Sequence, residues 1–379
     1  PTSLPTFTPT ATVTPWETPL AGTPTASPSA TPENTPTETA TAEPTAADGT
    51  VEPTPTPTPT PYPPGPPSKL GLFLTQFEPT VLAMLERAKP SLVKTLEIDA
   101  NFAKGIKDAS PTTLLVGRLH LGQLNLDIDP IPLAQDFVNQ LLPIATDATR
   151  LAVFDAWEAY NEPVADTVEK MQRLADFEAE RTRILGENGI RSVVGNFAAG
   201  HPPLELWPHF KPALDAIRQY NGYLGLHEYS APVMQYRAGS LQPAGDPSQG
   251  DEGWLTLRYR KAYRQFLQPM GFGSTPCLIT ECGVDGLIRP RPGPEKAKGW
   301  QDFIDTWEAN GLRADPPGVY MDQLIWYDEN LQQDDYIKGA AIFLAGTNDP
   351  QWESYNILGS GAGRLPDLLT QYLEVHPPR

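Results

Sequence analysis

The chain has 379 residues, a formal net charge of −18 and 44 prolines. So acidic a chain argues against nucleic acid or an anionic membrane as a partner. No run reaches the ~20 apolar residues of a membrane-crossing helix, so no membrane span is expected. Two cysteines are too few to mark a disulfide framework.

Residues 1–67 hold 19 of the prolines, abundant threonine, six acids and no Lys or Arg. A segment of this composition has too little apolar surface to build a core and reads as a disordered Pro/Thr-rich stalk. From Pro53 to Pro67 the pattern favours extended polyproline II, roughly 3.1 Å per residue, which makes a semi-rigid spacer. Stalks of this kind suit a secreted or cell-surface protein, and dense Thr-Pro suits O-glycosylation. The first residue is Pro rather than Met. The chain is therefore expected to be a processed or truncated product, with room for an additional module upstream of the linker.

Residues 68–379 form one expected domain, and setting the stalk's six acids aside leaves it a net charge of −12. Short apolar, β-rich runs recur there between helix-like stretches, the signature of βα units around a parallel sheet. The eight runs are Leu70–Phe77, Leu92–Ile98, Thr113–His120, Ala152–Tyr160, Arg191–Phe197, Tyr223–Tyr229, Pro276–Thr280 and Ala340–Ala345. The clearest amphipathic stretch spans Asp166 to Gly189, with Val168, Met171, Leu174, Phe177, Ile184 and Leu185 on one stripe and Asp166 as its expected cap. Two long connections, Ser230 to Gly253 and Gly286 to Gly299, are expected to shape a cleft. An open nucleotide-binding sheet is disfavoured because no GxGxxG or GKS/T turn occurs. The predicted fold is therefore α/β, a (β/α)8 TIM barrel behind a stalk. Cys277 and Cys282 lie five residues apart in one strand-like run and should not pair.

Two glutamates stand where apolar strands stop. The fourth run continues Trp157–Glu158–Ala159–Tyr160–Asn161–Glu162–Pro163, and the seventh continues Ile279–Thr280–Glu281–Cys282–Gly283. On a barrel, both carboxylates would sit on the C-terminal rim, where βα-loop chemistry is done. Two facing carboxylates can cleave a glycosidic bond: one protonates the leaving oxygen while the other attacks the anomeric carbon or activates water.

These motifs resemble those of the clan A glycoside hydrolases, with family 5 and family 39 members as the nearest comparisons. The resemblance implies a retaining glycosidase acting on a β-glycan, with Glu162 as general acid/base, Glu281 as nucleophile and Asn161 on the sugar 2-hydroxyl. It also implies that Tyr229 donates to Glu281 and that His227 lines the same pocket, from the His227–Glu228–Tyr229 run. His120 at the end of the third strand would face the sugar. No cofactor is required. Two departures stand out. The second strand lacks the clan's arginine, for which Arg118 could substitute, and the eighth ends Phe343–Leu344–Ala345–Gly346 instead of in tryptophan. Trp352 is then the candidate for stacking on a pyranose face.

Glu158 and Glu228 read better as buried structural carboxylates, and Trp157, Trp254, Trp300, Trp307, Trp326 and Tyr236 as packing residues. No metal site is expected: His227–Glu228–Tyr229–Ser230–Ala231 lacks the second histidine of HExxH, and His201 and His209 have no nearby Cys or acid at ligand spacing except Glu205. The alternatives to hydrolysis are a silent carbohydrate- or cell-wall-binding barrel, favoured by the missing arginine, and a transglycosylase.

Overall fold

The computed structural model describes residues 62–238 and 250–378. Residues 1–61 of the expected stalk lie outside them. The stalk's last residues are described and rest on the C-terminal helix Leu365–Val375, where the Gly65 amide donates to the Val375 carbonyl at 3.3 Å. The Tyr62 ring meets Tyr372 edge-on at 5.5 Å.

All eight expected strands form: β1 Leu70–Leu74, β2 Leu92–Thr95, β3 Leu114–Arg118, β4 Ala156–Glu158, β5 Val193–Phe197, β6 Tyr223–Ser230, β7 Cys277–Val284 and β8 Ile337–Ile342. They pair in parallel in the order β4-β3-β2-β1-β8-β7-β6-β5. A parallel bridge from Trp157 to Ser192 joins the two ends and closes the barrel. Helices cover the outer face, which explains why a strand such as LGLFL is buried along its whole length. Part of the fourth expected strand is instead the short helix Ala148–Val153, leaving β4 only three residues long. Side chains start the helices: the Asp99 carboxylate accepts from the Asn101 and Phe102 amides, both at 2.9 Å. The long helix runs Val168–Glu187, and its cap is Thr167, whose hydroxyl accepts from the Lys170 amide, rather than the expected Asp166.

Each strand contributes one side chain to a plug inside the barrel: Phe73, Leu92, Val116, Ala156, Val193, Tyr223, Leu278 and Ala341. Alternation places the next inward residue two positions on. Leu92 is therefore followed by Lys94, Val116 by Arg118 and Ala156 by Glu158, so a charged layer lies directly above the apolar one. Strand β7 breaks this parity. Its register against β6 shifts between the Leu226–Ile279 and His227–Glu281 pairs, and the extra residue, Thr280, turns Glu281 inward. Cys277 and Cys282 are buried and free.

Glu228 points the other way, into the shell between β6 and the helices. Its carboxylate accepts from the Leu257 amide at 2.8 Å, the Tyr259 amide at 2.8 Å and the Tyr327 hydroxyl at 2.7 Å. Burial pushes its pKa up to about 7 against the pull of those donors. The unfolded chain releases this proton near pH ~4.3, so the folded state holds a proton that the unfolded state has lost between there and pH 7. The stabilisation is complete below the unfolded pKa and is lost as pH rises through the folded one. The stability advantage of the wild type over Glu228→Gln should thus fall by up to about 3 kcal/mol between pH 5 and pH 8. Urea unfolding of both proteins at the two pH values checks this, and a constant difference would contradict it.

Candidate active site

The charged layer opens into a cleft of about 420 Å³ at the C-terminal ends of the strands. Arg118, Asn161, Glu162, Tyr229, Glu281 and Trp352 line it, as does His120, and His227 lies buried between the two glutamates. The fold therefore brings together all eight residues singled out in the sequence. Of the two long connections, the one after β7 reaches the cleft through Leu287. None of the described residues of Ser230–Gly253 beyond β6 lines it. Leu119, Leu121, Gly122 and Gln123 after β3 also line the cleft.

Glu281 is the most tightly held group. Its Oε1 meets Lys94 Nζ at 2.8 Å and Arg118 at 3.3 Å, and its Oε2 accepts from the Tyr229 hydroxyl at 2.8 Å. His227 Nδ1 stands 3.6 Å from Oε2. Burial alone would raise the Glu281 pKa, but His227, Lys94 and Arg118 outweigh it and hold the carboxyl far below the usual carboxylate range. Burial and the Glu281 charge push the Tyr229 hydroxyl well up, which keeps it a donor.

Glu162 is placed differently. The chain leaves β4 through Asn161, and Glu162 takes a left-handed φ of 44°, a conformation that costs a non-glycine residue about 1–2 kcal/mol. Its side chain is 35% exposed, against 7% for Glu281. Its Oε1 shares a hydrogen with His227 Nδ1 at 2.8 Å. Donor atoms of Glu162, His227 and Glu281 all lie within 4.8 Å of one another. One carboxylate is thus fixed as an anion by two cations and a hydroxyl, whereas the other is partly exposed to solvent and bonded to His227.

Among the described residues, these three are the set whose donor atoms converge closely enough to hold a metal ion. Glu281 is already neutralised by Lys94 and Arg118, so an added cation there would face two positive charges.

Sequence reasoning missed Lys94. It occupies the strand-two position where an arginine was sought, its Nζ lying 2.9 Å from Glu158 Oε2 and 2.8 Å from Glu281, and 4.6 Å above the Phe73 ring. The signal was present as a lysine inside the apolar strand LVKT, two residues past an inward leucine. Arg118 lies 3.3 Å from Glu281, and also bonds Asn161 Oδ1. Glu158, expected to be structural, is buried beneath the site as the second anion on Lys94. At the eighth strand, Phe343 lines the cleft where tryptophan was sought, and Trp352 packs edge-on against it at 5.4 Å. Asp285, which also lines the cleft, went unnoticed because nothing in its local sequence distinguishes it from a loop acid.

Removing Lys94 would leave Glu158 and Glu281 as close buried anions with only Arg118 between them. Lys94→Met should cost about 3 kcal/mol of stability at pH 7. The loss should shrink at pH 4, because one uncompensated carboxyl then takes up a proton while the wild-type Glu281 stays ionised. Denaturant unfolding at both pH values measures the difference, and an equal loss at the two would contradict the pairing.

No family model and no curated protein matches the chain. Solved structures with a similar chain path include a glucosidase from Croceicoccus marinus, at 11% identity and TM-score 0.45, covering 83% of this chain and 68% of that one. CJP38, a β-1,3-glucanase and allergen of Cryptomeria japonica pollen, has 11% identity and TM-score 0.46, covering 76% of this chain and 95% of that one. A GH5-4 broad-specificity endoglucanase from Clostridium longisporum has 12% identity and TM-score 0.42, covering 79% and 86% respectively. The chain itself has a (β/α)8 barrel fold, the fold of the clan that its strand-four and strand-seven motifs resemble.

Proposed function

We propose that the protein is a retaining glycoside hydrolase of β-linked glycans, with Glu281 as nucleophile and Glu162 as general acid/base. The observation that carries this reading is the convergence of Glu162 and Glu281 oxygens to within 4.8 Å across an open cleft. A gap that small favours direct attack, since inverting enzymes keep their carboxyls about 6.5–9.5 Å apart to admit a water. The unequal environments support the same division of labour. Glu281, held ionised by Lys94 and Arg118, attacks the anomeric carbon as the bond to the leaving oxygen breaks, and Glu162 delivers its proton to that oxygen. The resulting Glu162 carboxylate then takes a proton from the water that displaces Glu281, regenerating both groups.

Arg118 holds Asn161, and Asn161 in turn is placed to meet a sugar hydroxyl beside Glu162. Tyr229 keeps its hydrogen bond to Glu281 through the resting state and releases it as the ester forms. His227 couples the two carboxylates, and His120 and Trp352 offer contacts to the rest of the substrate. The chemistry needs no cofactor. The silent-barrel alternative drew its support from a missing cation on strand two, and Lys94 supplies that cation. The Pro/Thr composition of residues 1–67 supports placing the enzyme outside the cell, on a spacer.

The two glutamates separate on substrates with different leaving groups. Glu162→Ala should lose about 10²–10⁴-fold on natural glycans yet keep most of its rate of glycosyl-enzyme formation on a 2,4-dinitrophenyl glycoside, which needs no acid to leave. Glu281→Ala should lose both. Pre-steady-state release of dinitrophenol measures this, and an intact burst in Glu281→Ala would remove the residue from its role.

A further inference from the structure

One wall of the cleft is built from residues that the two-glutamate chemistry does not use. Asp285 stands four residues beyond Glu281, at the end of β7. Its Oδ1 accepts from the Leu287 amide at 2.8 Å and from the Tyr355 hydroxyl at 2.7 Å, and Asp285 and Tyr355 both line the cleft. Tyr355 is itself buried, and its ring packs against Trp352 at 5.6 Å and against Phe343 at 5.2 Å. One tyrosine thus fixes a carboxylate and an indole side by side. Trp352 is 36% exposed, and Leu287 is 54% exposed, although both line a concave surface. Exposed apolar side chains in a cleft cost solvation in the free protein and are placed to cover an apolar face of a ligand.

A pyranose ring has the matching chemistry, with an axial C–H face to lie on an indole and equatorial hydroxyls at its edge to donate to a carboxylate. The charge of the cleft narrows the choice further. Glu162, Glu281 and Asp285 place three carboxyls around it, and the guanidinium lining it, that of Arg118, is already engaged by Glu281 and Asn161. Arg291, in the loop after β7, spends its donors on the carbonyls of Gly286, Pro292, Pro294 and Ala297. A sugar carboxylate at this wall would face the Asp285 carboxylate, and the guanidinium that lines the cleft, Arg118, is already engaged.

Resting on the glycosidase reading, we infer that Asp285, Leu287 and Trp352, held in place by Tyr355, form a subsite for an uncharged pyranose unit, and that this wall rejects uronic acid units. Trp352 supplies the stacking face and Asp285 accepts the hydroxyls.

The test compares wild-type protein, Trp352→Ala and Asp285→Asn on neutral gluco-, manno- and xylo-oligosaccharides and on oligouronates from alginate and polyglucuronate. Turnover should be confined to neutral sugars. Each variant should raise KM about tenfold, with kcat within about twofold, the pattern of an interaction made equally in the ground and transition states. Trp352 is partly exposed, so its truncation leaves the barrel folded even if Asp285→Asn does not. Unchanged KM in Trp352→Ala, or faster turnover of an oligouronate than of any neutral sugar, would overturn the subsite while leaving the glycosidase reading intact. Absence of turnover on every glycan by the wild type would overturn both.

Discussion

Lys94 is a fully buried lysine paired with two carboxylates, and its position organises the mouth of the barrel. It stands between Glu158 below and Glu281 above, within 3 Å of both, and offsets the repulsion that two buried carboxylates so close together would otherwise feel. Arg118 adds a second positive charge on the same side. Two anions and two cations thus balance in the layer above the apolar plug, and the balance leaves Glu281 with a firmly fixed negative charge. Glu162 has neither cation beside it and is partly exposed to solvent. On the proposed reading, the difference between nucleophile and acid is a difference in neighbours.

The barrel supplies that arrangement by simple alternation. Strand residues two apart face the same way, so a plug of Leu92, Val116 and Ala156 places Lys94, Arg118 and Glu158 on the next level without any special turn. Glu281 needs a special feature, the register shift at Thr280, since strict alternation from Leu278 would have aimed it at the helices. Glu162 needs another, a left-handed residue where the chain leaves β4. Both irregularities sit beneath the proposed reacting atoms, in keeping with the tendency of bulges and strained residues to gather at functional sites.

Much of this was legible from the chain. Eight β-rich runs with the right spacing gave the barrel, because parallel strands covered by helices must be apolar on both faces. Asn161–Glu162 and Thr280–Glu281 could be found because each ends such a run. Lys94 was harder to see, since charge inside an apolar strand signals either an edge or a buried pair, and its partner Glu158 lies 64 positions away in the chain. Asp285 and Tyr355 were invisible for the same reason: their 2.7 Å hydrogen bond joins loops after different strands. Of the two long connections expected to shape the cleft, the one after β7 reaches it through Leu287, and much of the one after β6 lies outside the described residues. The connection after β3 contributes more of the wall than the described part of the longer one after β6.

The central claim is that Glu281 and Glu162 face each other closely enough for direct attack on a sugar. Its most direct test is the configuration of the first product released from a β-glycan, read by proton NMR before mutarotation. The account predicts the β anomer, formed by two successive inversions at the same carbon. An initial α anomer would mean that water attacks in a single step, and would contradict the account.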